Sequence, residues 1–135
     1  NYGRMILAPS GVVPPPPEAE RTQSGDAFHP EALGPAAAHA FAATGRPVFV
    51  TENGIAAADD AQRARFIPAA IASLDATRRQ GVPVIGYCHW SLMDNFEWRR
   101  GYTQQFGLHA IAPRTFRRTA KPSARRYAAI VAAQR

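Results

Sequence analysis

The sequence holds one cysteine, Cys88, in 135 residues. A single thiol builds no disulfide framework and gives a thiolate metal site no second ligand. The four histidines, His29, His39, His89 and His109, are scattered and never take metal-ligand spacing. No metal and no cofactor is therefore expected, and the lack of disulfides points to a cytoplasmic setting. Long apolar runs are also missing. Stretches such as Pro47–Val50 and Val82–Ile85 fall far short of the ~20 residues needed to cross a bilayer, so no membrane contact is expected. No signal-peptide pattern opens the chain, but it opens on Asn1 rather than Met, and the absence carries little weight.

Lysine is nearly absent: fifteen of the sixteen basic residues are arginine. Acids are absent beyond Glu97, where eight arginines and Lys121 stand unopposed, whereas residues 1–97 carry seven arginines against ten acids. Such a basic tail suits nucleic acid in some proteins. The arginine and alanine bias runs through the whole chain, so a solvated arginine-rich surface is the better reading, and no nucleic-acid partner is expected. What is present is a 46% apolar composition, which excludes a disordered polymer and suffices for one domain with a core.

Residues 1–8 read as the end of a strand. Pro9–Pro30, with consecutive prolines at 14–17, reads as a long exposed loop, because proline fixes φ and removes donors. Glu31–Ala43 is an alanine-rich helix stopped by Gly45. Pro47–Thr51 is a β-branched, apolar run that reads as a buried strand. Asp59–Gln80 is the clearest helix, capped by Asp59 or Asp60, with Phe66, Ile67, Ala70, Ile71 and Leu74 on one face. Val82–Tyr87 is a second buried strand, limited near its start by Pro83. Pro122–Gln134 is a last helix, with Tyr127, Ile130 and Val131 on one face. Alternation of helix and strand implies parallel β-α-β crossovers, an α/β class in which strand C-terminal ends carry the chemistry.

Two such ends exist: Thr51-Glu52-Asn53-Gly54, and His89 through Trp98. A carboxylate directly after an apolar strand is costly unless paired or set in a cleft. An arbitrary Glu there would more often open a loop and face water. At the second end, Trp90, Phe96, Trp98, Tyr102 and Phe106 surround Asp94, Asn95 and Glu97. Flat rings pack on the C–H faces of pyranoses, and carboxylates take their hydroxyls. An aromatic core under a barrel rim, with turn-forming Asp94 and Asn95, explains the composition equally well.

The segment Val48–Gly54 (VFVTENG) resembles the nucleophile signature of glycoside hydrolase family 1. Gly86–His109, containing WSLMDNFEW, resembles that family's segment around its eighth barrel strand. Asp60, Arg63, Phe66 and Ile67 fit the helix between them, and Arg118, Lys121 and Ser123 fit the tail. The resemblance covers about residues 45–131 in consistent order. It implies a C-terminal part of a (β/α)8 TIM barrel, from about the end of strand 6 through helix 8. On this reading residues 1–135 are a partial catalytic domain and residues 9–30 its proline-rich exposed loop.

The resemblance also implies residue roles. Glu52 would be the nucleophile of a retaining β-glycosidase acting by double displacement. Trp90 would wall the sugar subsite, Glu97 would take the hydroxyls at positions 4 and 6, Trp98 would assist at position 3 or 4, and Phe106 would line the same pocket. Asp94 and Asn95 would hold the loop. Glu97 would repel a phosphate, so the substrate implied is an unphosphorylated β-glycoside or oligosaccharide, and Arg99 and Arg100 would point to solvent. Tyr2, in a tyrosine-bearing motif at Asn1–Met5, would hydrogen-bond the nucleophile, although the family's usual motif has two adjacent tyrosines.

Retaining hydrolysis needs a second carboxyl group, roughly 5–5.5 Å from the first. The family supplies it from an Asn-Glu-Pro motif, which does not occur in these 135 residues. A complete barrel takes about 250 residues. The expectation is a piece of a longer enzyme that needs an N-terminal barrel portion and is inactive alone. The alternative is a non-catalytic sugar-binding or interaction module.

Overall fold

The computed structural model describes residues 6–8, 11–13 and 16–134. Strand β1 (Ile6–Ala8) pairs antiparallel with β2 (Gly11–Val13). A 3-10 turn at Pro30–Ala32 leads into helix α1 (Leu33–Thr44). There follow β3 (Val48–Asn53), α2 (Asp60–Arg79), β4 (Val84–His89), the short antiparallel pair β5 (His109–Ile111) and β6 (Arg118–Ala120), and α3 (Pro122–Ala132).

β3 and β4 pair in parallel across α2, the crossover that the alternating pattern predicts. α1 ends at Gly45, whose φ of 63° is the left-handed cap that glycine adopts without strain. α2 starts at Asp59, whose Oδ1 accepts the Ala61 N–H at 2.9 Å. Arg78 and Arg79 close it, both paired with Asp75. The apolar face of α2 packs Phe66 and Ala70 against Ile55 and Ala57, and Phe28 and Leu33 join this core. Phe28 meets Phe66 edge-on, with ring centroids 5.9 Å apart.

Four expectations are corrected. Gly11–Val13 is a strand rather than loop. It contains no proline, so its N–H groups are free to pair with β1. Residues 9–30 are also not exposed throughout: Thr22 and Pro30 are buried, and Phe28 caps the core. β4 begins two residues later than read, because Pro83 has no N–H to give the ladder. Its carbonyl still accepts the Val48 N–H at 2.9 Å. Finally, β3 and β4 are only partly buried strands. Phe49 is 50% and Ile85 70% exposed. Among the described residues β3 pairs only with β4, and no closed barrel forms.

Candidate active site

The C-terminal ends of β3 and β4 lie side by side, tied by the Trp90 N–H donating to the Asn53 carbonyl at 2.9 Å. Gly54 makes this approach possible, since a Cβ there would stand 1.8 Å from the Trp90 carbonyl oxygen. Glu52, Gly54, Trp90, Asn95, Phe96, Glu97, Trp98 and Phe106 line one cavity of about 330 Å³. The structure thus brings Glu52, Trp90, Glu97, Trp98 and Phe106 together, although they span 55 residues of chain. Tyr2 lies outside the described residues.

The rings around this cavity are poorly covered. Trp98 is 82% exposed and Trp90 38%. Phe96, 58% exposed, touches Tyr102 edge-on at 5.5 Å. Trp98 has φ 41°, a left-handed conformation that costs a bulky residue of order 1–3 kcal/mol. A tight turn holds it there: the Glu97 N–H donates to the Gly101 carbonyl at 2.7 Å, and the Arg100 N–H to the Glu97 carbonyl at 2.7 Å. The aromatic surface beside Glu52 and Glu97 is thus held open to solvent rather than packed as core.

The neighbouring side chains hold this loop. Asp94 Oδ1 accepts from Lys121 Nζ and from the Gly107 N–H, both at 2.8 Å, so Asp94 is a loop residue as its place in the motif implies. Asn95 departs from that reading. It lines the cavity, and its Oδ1 is buried without a hydrogen-bond partner. Arg99 is exposed, whereas Arg100 also donates to the Ser24 carbonyl at 3.3 Å. Arg100 lines a second cavity of about 370 Å³ that shares Gly54, Glu97 and Phe106 with the first.

Behind the strand ends lies a group that sequence patterns alone did not single out as structural. Arg63 is fully buried. It pairs with Asp60 and donates to the carbonyls of Gln105 and Ala57. Asp60 accepts the Ser123 N–H and hydroxyl, each at 2.7 Å, and so serves the N-terminus of α3. Burial pushes the Asp60 carboxyl up, but the Ser123 donors and Arg63 outweigh it and hold the group below the usual carboxylate range. The signal was available: Arg63 is in helical phase with Ile67, Ala70 and Leu74. His89 stands close by, its ring tilted on Tyr127 at 5.9 Å. Burial, with the Arg63 charge, lowers it to about 4, so it is neutral.

Residues 17–135 match the family model Glycosyl hydrolase family 1. The chain belongs to glycosyl hydrolase family 1. Among curated relatives, a β-galactosidase of Sulfolobus acidocaldarius is 42% identical over 80 residues, which is 59% of this chain and 16% of that protein. Among solved structures, an apo β-glucosidase 1317 superposes with TM-score 0.95 at 41% identity, covering 98% of this chain and 33% of that one. A Thermotoga maritima β-glucosidase bound to glucoimidazole does so with TM-score 0.85 at 29% identity, over 95% and 32%. The family 1 chain therefore spans about a third of these structures and carries a portion of the TIM-barrel fold of family 1 β-glucosidases.

Proposed function

We propose that this chain is the part of a retaining β-glycosidase, β-glucosidase-like, running from about the end of barrel strand six through helix eight, with Glu52 as its nucleophile. The observation that carries the reading is the convergence of Glu52, Trp90, Glu97, Trp98 and Phe106 on one cavity. In the first step the Glu52 carboxylate attacks the anomeric carbon, the bond to the aglycone oxygen breaks, and a glycosyl ester of Glu52 forms. In the second, water attacks the same carbon and returns the carboxylate. Trp90 and Trp98 offer faces to the sugar ring, Glu97 accepts from its hydroxyls, and Phe106 closes the pocket. An unphosphorylated sugar fits a cavity whose two charged lining groups are carboxylates. Tyr2 is proposed as hydrogen-bond donor to Glu52.

The aglycone oxygen must be protonated as it leaves, and the sequence offers no Asn-Glu-Pro carboxyl for that. Glu18, Glu20 and Glu31 line no part of the cavity that holds Glu52. The 135 residues alone are accordingly proposed to be hydrolytically incompetent, with the acid/base group on barrel residues outside this sequence. Two measurements test this. With 4-nitrophenyl β-glucoside no turnover is expected, and turnover that Glu52→Gln abolishes would refute the incompetence. A 2,4-dinitrophenyl 2-deoxy-2-fluoro-β-glucoside needs no protonation of its leaving group, so it should leave a glycosyl adduct on the Glu52 peptide. An adduct elsewhere, or sugar binding with no adduct, would favour a sugar-binding module instead.

A further inference from the structure

Glu52 sits on an irregular stretch of β3. Val50 stands opposite Tyr87 and Asn53 opposite His89, so three steps along β3 meet two along β4. The surplus residue falls at Thr51–Glu52. A bulge of this kind re-aims side chains that the pleat would otherwise send to alternate faces. Thr51 and Glu52 are indeed consecutive and both exposed, and Asn53 after them is buried.

Two side chains pin the bulge: Tyr87 lines neither cavity, whereas Asn53 lines the cavity of about 370 Å³ and not the one that holds Glu52. Asn53 is 4% exposed. Its side-chain Oδ1 accepts from the Tyr87 hydroxyl at 3.1 Å, and its main-chain carbonyl accepts the Trp90 N–H. Tyr87 is in turn wedged edge-on against Tyr127 of α3, with ring centroids 6.2 Å apart, and His89 Nδ1 lies 3.5 Å from the Tyr87 hydroxyl. Tyr87 lines no part of the cavity that holds Glu52. One part-buried side-chain hydrogen bond thus closes across the two strands immediately after the bulged residue.

We infer that Tyr87 and Asn53 are positioning residues for Glu52: their hydrogen bond, closed across β3 and β4, sets the bulge that turns the carboxylate into the cavity shared with Trp90 and Glu97. The inference rests on the reading of Glu52 as nucleophile. Neither residue supplies a proton or touches the sugar through the bond in question. Both act through the backbone that carries Glu52, and small misplacements of a reacting group are expensive.

The test is the rate at which the 135-residue chain acquires the 2-deoxy-2-fluoroglucosyl adduct from 2,4-dinitrophenyl 2-deoxy-2-fluoro-β-glucoside, followed by intact-protein mass spectrometry. Its dependence on reagent concentration separates the maximal rate from half-saturation. Tyr87→Phe removes only the hydroxyl. It should lower the maximal rate about tenfold or more, with half-saturation within about twofold of wild type. Asn53→Ala breaks the same bond from the other side and should show a similar loss, and it carries the test if Tyr87→Phe does not fold. The double variant should be no slower than the slower single, because the two side chains act as one unit. A maximal rate for both single variants within about twofold of wild type overturns the inference and leaves Glu52 as nucleophile. Slower labelling joined to weaker saturation and a lower melting temperature marks a merely structural pair and also overturns it. No adduct at Glu52 in the wild-type chain overturns the nucleophile reading itself, and the inference with it.

Discussion

Among the described residues Arg63 is the largest fully buried side chain, and it is a cation. Burial lowers its pKa, and the Asp60 carboxylate offsets part of that loss. Removing one partner of such a pair strands the other in a low-dielectric site, at a cost of about 3–5 kcal/mol. Arg63→Met should therefore lower the urea unfolding free energy by about that much, a large share of the roughly 5–15 kcal/mol available to a domain. His89 is predicted to act through pH. It is held neutral with its pKa depressed from 6.5 to about 4, facing Arg63 and Asp60 from α2, Tyr127 from α3 and Tyr87 on its own strand. The unfolded chain binds a proton near pH 6.5 that the folded one refuses, so stability falls as pH drops from about 6.5 to 4 and recovers above. The loss is at most about 3 kcal/mol, and denaturation of His89→Gln at pH 7 and pH 5 should show a flatter dependence than wild type. At this scale the motifs made legible which side chains would meet, since Glu52, Trp90 and Glu97 line one cavity. The sequence was less legible where a charge is buried, since Asp60 reads equally as a cap of α2 and serves α3 instead.

The elements were legible in proportion to their length. α2 spans twenty residues, long enough for an apolar stripe to declare itself, and its Asp59 cap could be named as one of two candidates. Asp59→Ala should cost about 1 kcal/mol, the usual worth of an N-cap, and a thermal melt would show it. β5 and β6 have three residues each. Three residues give a period of two no room to repeat, so the hairpin could not be seen. The bulge in β3 was invisible for a different reason, since it depends on the register with β4 and no single strand's sequence states it. Gly54 shows the same dependence. Its requirement comes from the Trp90 carbonyl of another strand, and Gly54→Ala should force the two strand ends apart. We expect that variant to lose the fluoroglucosyl adduct while the far-ultraviolet circular dichroism of the helices persists.

Among the described residues the parallel pair β3–β4 is covered by helices on one side. α2 and α3 lie behind β3 and β4, where Tyr127 meets Tyr87 and His89. On these two strands Phe49 and Ile85 remain open to water, and among the described residues no third strand joins them. Open parallel edges and uncovered apolar side chains favour pairing with another chain. In isolation the 135 residues should therefore self-associate as concentration rises, which light scattering coupled to size exclusion would follow. Threonine at both positions keeps strand propensity, β-branched in place of aromatic at Phe49, and removes the apolar surface. Phe49→Thr with Ile85→Thr should then shift the population toward monomer, with little change in melting temperature, because neither side chain is buried within this chain. If association is unchanged in the double variant, the β3–β4 face is not where the copies meet, and exposed apolar groups away from the cavity, Leu92, Phe116 and Val131, become the surface to alter.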